Sequence, residues 1–308
     1  MKILIMGAGA MGSLFAWHLV NARADVVVFD PWEDHVNAIN RDGLRITTKI
    51  GEERIALRAF SDPAGIGNCD IVIPFVKTGQ TRAMMRLAVP VMTDNTLVAT
   101  FQNGIGNVEA IRSVWPAQRI AYGLTTLTSE LHGPGHIEAS LSTRGESFLW
   151  VTDGVPQEPE RRLCHLLSGV HAKVELDDNI DIRIWKKLVI NCCYNPVCAL
   201  FDCSVGDVIK LPSALSLFEQ LTRELTAAAI ANGVPLSYEK AMRYLAEVGQ
   251  AAARHVPSMV MDLRMGKATE IDALNAAVVA LGEQHGIATA GHRVIVDLIR
   301  MKECLTAH

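Results

Sequence analysis

The sequence predicts an α/β domain, residues 1–178, followed by an all-helical domain, residues 179–308. Two observations predict this division: apolar runs alternate with helical stretches in the first part, and only helical patterns follow in the second. A chain of 308 residues suits two domains of roughly 150 residues each. Hydrophobic residues make up 49% and charged residues 20%, which is typical of a globular rather than a disordered chain.

The strands of the first domain are predicted from short apolar runs. These are Lys2–Met6, Val26–Phe29, Ile71–Val76 and Leu97–Phe101. Continuous apolar strands separated by helical stretches, such as Met11–Val20, are typical of a parallel sheet covered on both faces. Shorter strands follow between Ile120 and Val151, and we expect them as antiparallel additions at the sheet edge.

The second domain carries long stretches with helical spacing and no strand-like alternation. The predicted helices are Ile182–Ala199, Ala214–Ala231, Tyr238–Ala253, Ile271–His285 and His292–Cys304. Glycine and proline turn signals separate them, which predicts a bundle of helices joined by short loops.

Charge and composition exclude several classes of protein. The net charge is -4 with no basic stripe, which argues against a nucleic-acid partner. Nothing approaches the ~18 uninterrupted apolar residues of a membrane span. Seven cysteines without a CxxC pair indicate reduced thiols, so we predict a cytoplasmic protein. Neither the cysteines nor the scattered histidines show zinc-ligand spacing, and no metal site is predicted.

A glycine-rich turn lies between the first strand and the first helix. Gly7, Ala8, Gly9, Ala10, Met11 and Gly12 match the dinucleotide fingerprint G-x-G-x-x-G. The first glycine permits a tight turn, the second lets the backbone approach a pyrophosphate, and the third allows close helix–strand packing. The context predicts a Rossmann dinucleotide-binding domain; the alternative is a turn that binds no ligand.

Asp30 ends the second predicted strand, about twenty residues after the glycines. A carboxylate at this place accepts hydrogen bonds from the adenosine ribose and repels a 2′-phosphate. Since no lysine or arginine lies between Asp30 and Asn40, local electrostatics favour NAD over NADP. Asp30 could instead only start the Asp30-Pro31 turn.

Three polar residues share one face of the helix predicted at Ile182–Ala199. Lys187, Asn191 and Asn195 lie at i, i+4 and i+8 in an otherwise apolar segment. Burying an ammonium and two amides costs several kcal/mol unless each group finds a partner. An oxygen-rich substrate would supply partners, and the lysine could protonate a ketone oxygen as hydride arrives. An exposed Lys187 with asparagines bonded across a domain interface would explain the pattern equally well.

Several motifs in order give the chain a resemblance to the ketopantoate reductase (2-dehydropantoate 2-reductase) family over nearly its whole length. They are the glycine turn, Val76-Lys77, Gln102-Asn103-Gly104, Trp185-Lys186-Lys187-Leu188 with Asn191 and Asn195-Pro196, Ser258-Met259, Asp262 and Thr269-Glu270-Ile271-Asp272.

The resemblance implies reduction of ketopantoate to D-pantoate, a step toward pantothenate and coenzyme A. It implies Lys187 as the general acid and Glu270 as a catalytic residue that also binds substrate. Asn191, Asn195 and Ser258 would hold the substrate. Lys77 and Asn103 would lie between cofactor and substrate on the nucleotide domain, Asn103 contacting both.

One departure from the family concerns the cofactor. Family members typically use NADP and often place a basic residue just after the second strand, where this chain has Asp30-Pro31-Trp32. An NAD-dependent D-2-hydroxyacid dehydrogenase for another branched 2-keto acid is therefore an alternative. A dinucleotide-sensing regulator is a more remote one, because it would not need the polar residues together. The sequence leaves the oligomeric state open, a homodimer being one option.

Overall fold

The computed structural model describes residues 1–116, 119–140, 145–169 and 172–306. By its internal contacts the chain divides into two compact units. Unit 1 comprises 1–102 and 107–180, and unit 2 comprises 103–106 and 181–308. The short segment Asn103–Gly106 thus groups with the helical unit, although it lies within the first domain predicted from the sequence. The physical reason is its bonding: the Ile105 N–H donates to the Ala273 carbonyl at 3.2 Å.

The strands of unit 1 alternate with helices along the chain. The strands are β1 (Lys2–Met6), β2 (Asp25–Phe29), β3 (Leu44–Thr48), β4 (Gly51–Ile55), β5 (Arg58–Phe60), β6 (Ile71–Pro74), β7 (Leu97–Thr100), β8 (Ile120–Thr125), β9 (Thr128–Gly133), β10 (His136–Ser140), β11 (Gly145–Val151) and β12 (Ala172–Leu176). The helices are α1 (Ala10–Asn21), α2 (Glu33–Asp42), α3 (Thr81–Ala88), α4 (Asn107–Arg112) and α5 (Glu158–Leu167).

The main sheet of unit 1 has the order β12-β11-β8-β7-β6-β1-β2-β5. All neighbours pair in parallel except β8 and β11, which are antiparallel. β1 lies between β2 and β6, so the strand order reverses at β1 and the chain crosses to opposite sides of it. In open parallel sheets, ligands bind beyond the carboxyl ends of the strands at such a reversal. The glycine turn follows β1 at this place.

The strands between Ile120 and Val151 differ in part from the sequence expectation. β8 pairs in parallel with β7, and β11 pairs with β8 in antiparallel orientation. β9 and β10 instead join β3 and β4 in a separate sheet of order β4-β3-β10-β9. The reason is burial on one face: Ile137 and Ala139 of β10 are buried in the same apolar cluster as Leu14 of α1.

Unit 2 consists of helices, and α6 contributes many of the buried residues of its core. The helices are α6 (Ile180–Phe201), α7 (Val205–Val208), α8 (Pro212–Ala231), α9 (Tyr238–Ala251), α10 (Ser258–Arg264), α11 (Asn275–His285) and α12 (Ala290–Thr306). Trp185, Leu188 and Val189 of α6 are buried in its core. Within the described ranges, none of the helices has the combined length and hydropathy of a membrane-spanning segment.

Helix α11 begins later than the sequence predicted. The predicted start is Ile271, whereas residues 271–274 form a turn and the helix begins at Asn275. The Ala273 carbonyl accepts a hydrogen bond from the N–H of Ile105, so it does not serve as an acceptor within an earlier turn of the helix. This turn carries Glu270 at its start.

Candidate active site

The glycine turn after β1 has the shape that a dinucleotide requires. Gly7 has φ +99°, a conformation that glycine adopts without strain. A Cβ on Gly12 would lie 1.8 Å from the Gly7 carbonyl oxygen, so only glycine lets α1 start this close to the turn. A Cβ on Gly9 would meet nothing within 4 Å. The backbone at Gly9 therefore borders open space, next to the N–H groups of the first turn of α1, which have no partner inside the helix.

Asp30 lies beside this turn, directly after β2. One carboxylate oxygen accepts the N–H of Ala8 at 2.8 Å, and the other accepts the N–H of Trp32 at 2.9 Å. The backbone therefore fixes the carboxylate, which keeps further lone pairs for other donors. Gly7–Gly12 and Asp30 thus fit a dinucleotide in shape and in donor chemistry.

Lys77 lies in the loop beyond β6 rather than at the end of the strand, because β6 ends at Pro74. The Lys77 carbonyl accepts the N–H of Gln80 and starts a 3₁₀ turn. Gln102, just after β7, donates through its amide to the Val76 carbonyl at 2.5 Å and to Thr81 at 2.8 Å. Gln102 therefore ties together the loops that follow β6 and β7. No role was predicted for Gln102 from the sequence.

In unit 2, three predicted residues that are far apart in the sequence form one hydrogen-bonded chain. Lys187 of α6 donates to the side-chain oxygen of Asn103 at 2.8 Å. The amide nitrogen of Asn103 donates to a carboxylate oxygen of Glu270 at 3.0 Å. All three side chains are partly buried. The amide of Asn103 thus connects an ammonium to a carboxylate, with its oxygen and nitrogen assigned by these partners.

Burial lowers the pKa of Lys187 to about 8, and the nearby Glu270 carboxylate opposes this shift. Desolvation penalises the charged ammonium, whereas a neighbouring negative charge favours it. Lys187 is therefore still mostly protonated at neutral pH but releases its proton more readily than an exposed lysine. These are the properties of a general acid that works near neutral pH.

The polar face predicted on α6 continues beyond Lys187. Asn191 and Asn195 are partly buried, whereas the neighbouring Cys192 and Tyr194 are buried. Within the described residues, no hydrogen bond links either asparagine to Lys187, Asn103 or Glu270.

Ser258 is an exposed residue at the start of α10, and the N-cap is Pro257. Within the part of the chain that the structure describes, its side chain makes no hydrogen bond to this chain either. The structure thus joins Lys187, Asn103 and Glu270 directly and leaves Asn191, Asn195 and Ser258 outside their network.

Pro196 interrupts the hydrogen bonding of α6 next to this polar face. A proline cannot donate to the carbonyl four residues before it, here that of Cys192. The side chain of Asn275 takes the missing place and donates to the Cys192 carbonyl at 3.1 Å. Asn275 also donates to His292, whose other ring nitrogen bonds the Leu221 carbonyl. Asn275 and His292 were not predicted from the sequence. The signal was Pro196, since a proline inside a buried helix leaves a carbonyl that needs a donor.

Curated relatives match nearly the whole chain. A 2-dehydropantoate 2-reductase of Streptococcus pyogenes serotype M3 is 33% identical over 306 residues, which is 99% of each chain. A 2-dehydropantoate 2-reductase of Lactococcus lactis subsp. lactis is 29% identical and covers 98% of each chain.

Solved structures match with equal coverage. D-mandelate dehydrogenase with NADH and anilino(oxo)acetate superposes with a TM-score of 0.94 at 27% identity, over 100% of both chains. A PanE/ApbA family ketopantoate reductase from Ralstonia eutropha superposes with a TM-score of 0.88 at 31% identity, also over 100% of both chains.

Two family models match the chain in succession. The model described as ketopantoate reductase PanE/ApbA matches residues 3–148, and that of its C-terminal part matches residues 179–303. The class is therefore that of NAD(P)-dependent oxidoreductases with a Rossmann unit and a helical unit. Within this class, the chain belongs to the ketopantoate reductase PanE/ApbA family.

Proposed function

We propose that the protein reduces the 2-keto group of ketopantoate to give D-pantoate, with Lys187 as the general acid. The observation that carries the proposal is the hydrogen-bonded chain of Lys187, Asn103 and Glu270, with the lysine pKa lowered to about 8. The full-length relatives named 2-dehydropantoate 2-reductase support the choice of substrate.

Each of the predicted site residues in unit 2 has a distinct role in the proposed reaction. Lys187 donates its proton to the keto oxygen, which carries the negative charge that develops during reduction. Glu270 keeps the ammonium protonated and, through Asn103, fixes its direction. Asn191, Asn195 and Ser258 donate hydrogen bonds to the carboxylate and hydroxyl of the substrate. The reduced nicotinamide, when bound, supplies the hydride.

We further propose that residues 1–178 bind the cofactor and that residues 179–308, together with Asn103, supply the catalytic and substrate-binding groups. Gly7, Ala8, Gly9, Ala10, Met11 and Gly12 would hold the pyrophosphate, Asp30 would accept the adenosine ribose hydroxyls, and Lys77 would contact the nicotinamide half. The fixed carboxylate of Asp30 supports NADH over NADPH, because it would repel a 2′-phosphate.

A second candidate is an NAD-dependent D-2-hydroxyacid dehydrogenase acting on another 2-keto acid. Two observations favour it: the TM-score of 0.94 to a D-mandelate dehydrogenase with NADH, and the acidic residue at position 30. The two candidates share the lysine chemistry and differ in the substrate side chain.

Steady-state reduction of a panel of 2-keto acids, each with NADH and with NADPH, distinguishes the candidates. Ketopantoate should give the highest kcat/KM, and NADH should give a higher value than NADPH. A higher kcat/KM with an aromatic or another branched 2-keto acid would support the second candidate. A higher kcat/KM with NADPH would contradict the cofactor assignment. No oxidation of either nucleotide with any keto acid would contradict both candidates.

A further inference from the structure

His35, in the first turn of α2, is a completely buried histidine in unit 1. Both ring nitrogens are hydrogen-bonded to backbone groups that are distant in the sequence. Nε2 lies 2.8 Å from the Ala8 carbonyl oxygen, in the middle of the glycine turn. Nδ1 accepts the N–H of Gly135, at the turn between β9 and β10, at 3.0 Å. One imidazole therefore connects the glycine turn to the second sheet.

These partners define the tautomer of the ring. Nδ1 accepts from a backbone N–H, so it carries no proton, and Nε2 must carry the hydrogen that it donates to Ala8. Burial lowers the pKa of His35, although the charge of Asp30 opposes the shift, so burial favours the neutral ring that these hydrogen-bond partners require. His35 is a fixed hydrogen-bond donor to the turn rather than a proton carrier.

The Ala8 carbonyl accepts a second hydrogen bond, from the hydroxyl of Ser13 at 2.5 Å. On the other side of the residue, the Ala8 N–H donates to Asp30. The neighbours of Ala8 are Gly7 and Gly9, whose backbones rotate more freely than those of other residues. The backbone holds the flanking groups, since the Gly7 N–H donates to Phe29 and the Gly9 carbonyl accepts the Ser13 N–H. The carbonyl of Ala8 itself, however, is held by the side chains of His35 and Ser13.

The orientation of this peptide determines where the next N–H points. In a planar trans peptide, the carbonyl and the N–H point in opposite directions. Since His35 and Ser13 hold the Ala8 carbonyl toward the protein interior, the Gly9 N–H must point the other way. A Cβ at Gly9 would find open space, which shows that the backbone there can be approached closely.

We propose that His35 and Ser13 are positioning residues, which hold the Ala8 carbonyl inward so that the Gly9 N–H faces the pyrophosphate of the cofactor. The inference rests on the proposed binding of a nicotinamide dinucleotide. It adds two residues that never touch the cofactor but prepare its site before it binds.

Two substitutions at position 35 separate the two hydrogen bonds of the ring. His35→Gln can keep a donor near the position of Nε2, whereas His35→Asn keeps only an acceptor near the position of Nδ1. We expect His35→Asn to raise the Kd for NADH and the cofactor KM at least about tenfold, as for loss of a well-made hydrogen bond at the site. Its kcat at saturating NADH should stay within about threefold of wild type, because the chemical groups are unchanged. His35→Gln should restore most of the affinity.

The readouts are NADH titration by fluorescence, steady-state kinetics and the apo melting temperature. Equal losses of NADH affinity in both variants, or an unchanged Kd in folded His35→Asn, would overturn the proposal. A wild-type protein that binds neither NADH nor NADPH would instead contradict the proposed function.

Ser13→Ala provides the test if His35→Asn does not fold, since it removes the second donor to the same carbonyl with little loss of packing. Its matched control is Ser147→Ala, another buried serine of unit 1, whose hydroxyl bonds Thr125 at 2.8 Å. Ser13→Ala should bind NADH at least about threefold more weakly than Ser147→Ala at similar melting temperatures. Equal affinities of these two variants would overturn the role of the Ala8 carbonyl.

Discussion

Two opposing influences determine the pKa of the Lys187 side chain. Burial lowers its pKa to about 8, and the Glu270 carboxylate prevents a larger shift. An ammonium with a pKa near the working pH can both hold a proton and release it to a developing alkoxide. Lys186, the neighbour on the same helix, instead lies 6.0 Å above the ring of Tyr244.

We expect Lys187→Ala to lower kcat at least about a hundredfold, which is the low end for loss of a general acid. The control is Lys186→Ala, which removes an equal charge from the next position of α6 and should retain near-normal turnover. Steady-state kinetics with ketopantoate measure both. If Lys187→Ala retains near-normal turnover, the assignment of the general acid is wrong.

The pH dependence of kcat should reflect the same lysine. Because the proton donor is lost as pH rises, kcat should fall through a pKa of about 8 on the alkaline side. Glu270→Gln removes the charge that raises the lysine pKa, so the alkaline limb should move to lower pH. A profile of kcat from about pH 6 to about pH 10 for both proteins tests this. A limb that stays in place or moves to higher pH in Glu270→Gln would contradict the coupling.

At the scale of elements, α6 depends on support from α11. The Cys192 carbonyl lacks a helical donor because of Pro196, and Asn275 at the start of α11 supplies one. The same asparagine donates to His292 of α12, so α6, α11 and α12 meet at a single buried amide. This arrangement holds the helix that carries Lys187, Asn191 and Asn195.

Asn275→Ala should lower the free energy of unfolding by about 1–3 kcal/mol, since it leaves a buried carbonyl without a donor. Pro196→Ala introduces an N–H that can donate to Cys192. In the Asn275→Ala background it should therefore recover part of the loss. Urea unfolding of the two single variants and the double variant forms a double-mutant cycle. Strict additivity would show that Asn275 does not compensate for the proline.

At the scale of the whole molecule, cofactor binding should increase the stability of the folded protein. A ligand that binds only the folded state stabilises by mass action, about 2.7 kcal/mol at a hundredfold excess over Kd. NADH should therefore raise the melting temperature, and at equal concentration more than NADPH does.

Two glycine variants give the controls for this stabilisation. A Cβ at Gly9 meets no protein atom, so Gly9→Ala should keep the apo melting temperature but lose the shift with NADH. A Cβ at Gly12 collides with the Gly7 carbonyl, so Gly12→Ala should already lower the apo melting temperature. Thermal denaturation with and without nucleotide measures all three proteins. A full NADH shift in Gly9→Ala would contradict binding at this turn.

Local patterns predicted much of the fold and part of the site. The apolar runs predicted the sheet, and the spacing of Lys187, Asn191 and Asn195 predicted a polar face on one helix, because both depend on the period of a single element. The joining of β9 and β10 to β3 and β4 was not predictable, since strand partners are chosen by burial against distant residues. The late start of α11 was not predictable either, because it depends on a hydrogen bond to Ile105.

The sequence by itself determined the α/β and helical classes, the glycine turn and the carboxylate at Asp30, because each depends on residues close together in the chain. Only the tertiary structure decided that Asn103 connects Lys187 to Glu270, that Asn275 completes α6, and that His35 holds the Ala8 carbonyl. These bonds join residues separated by 27 to 167 positions. No local period encodes such pairs; they form because groups removed from water must find partners within the folded chain.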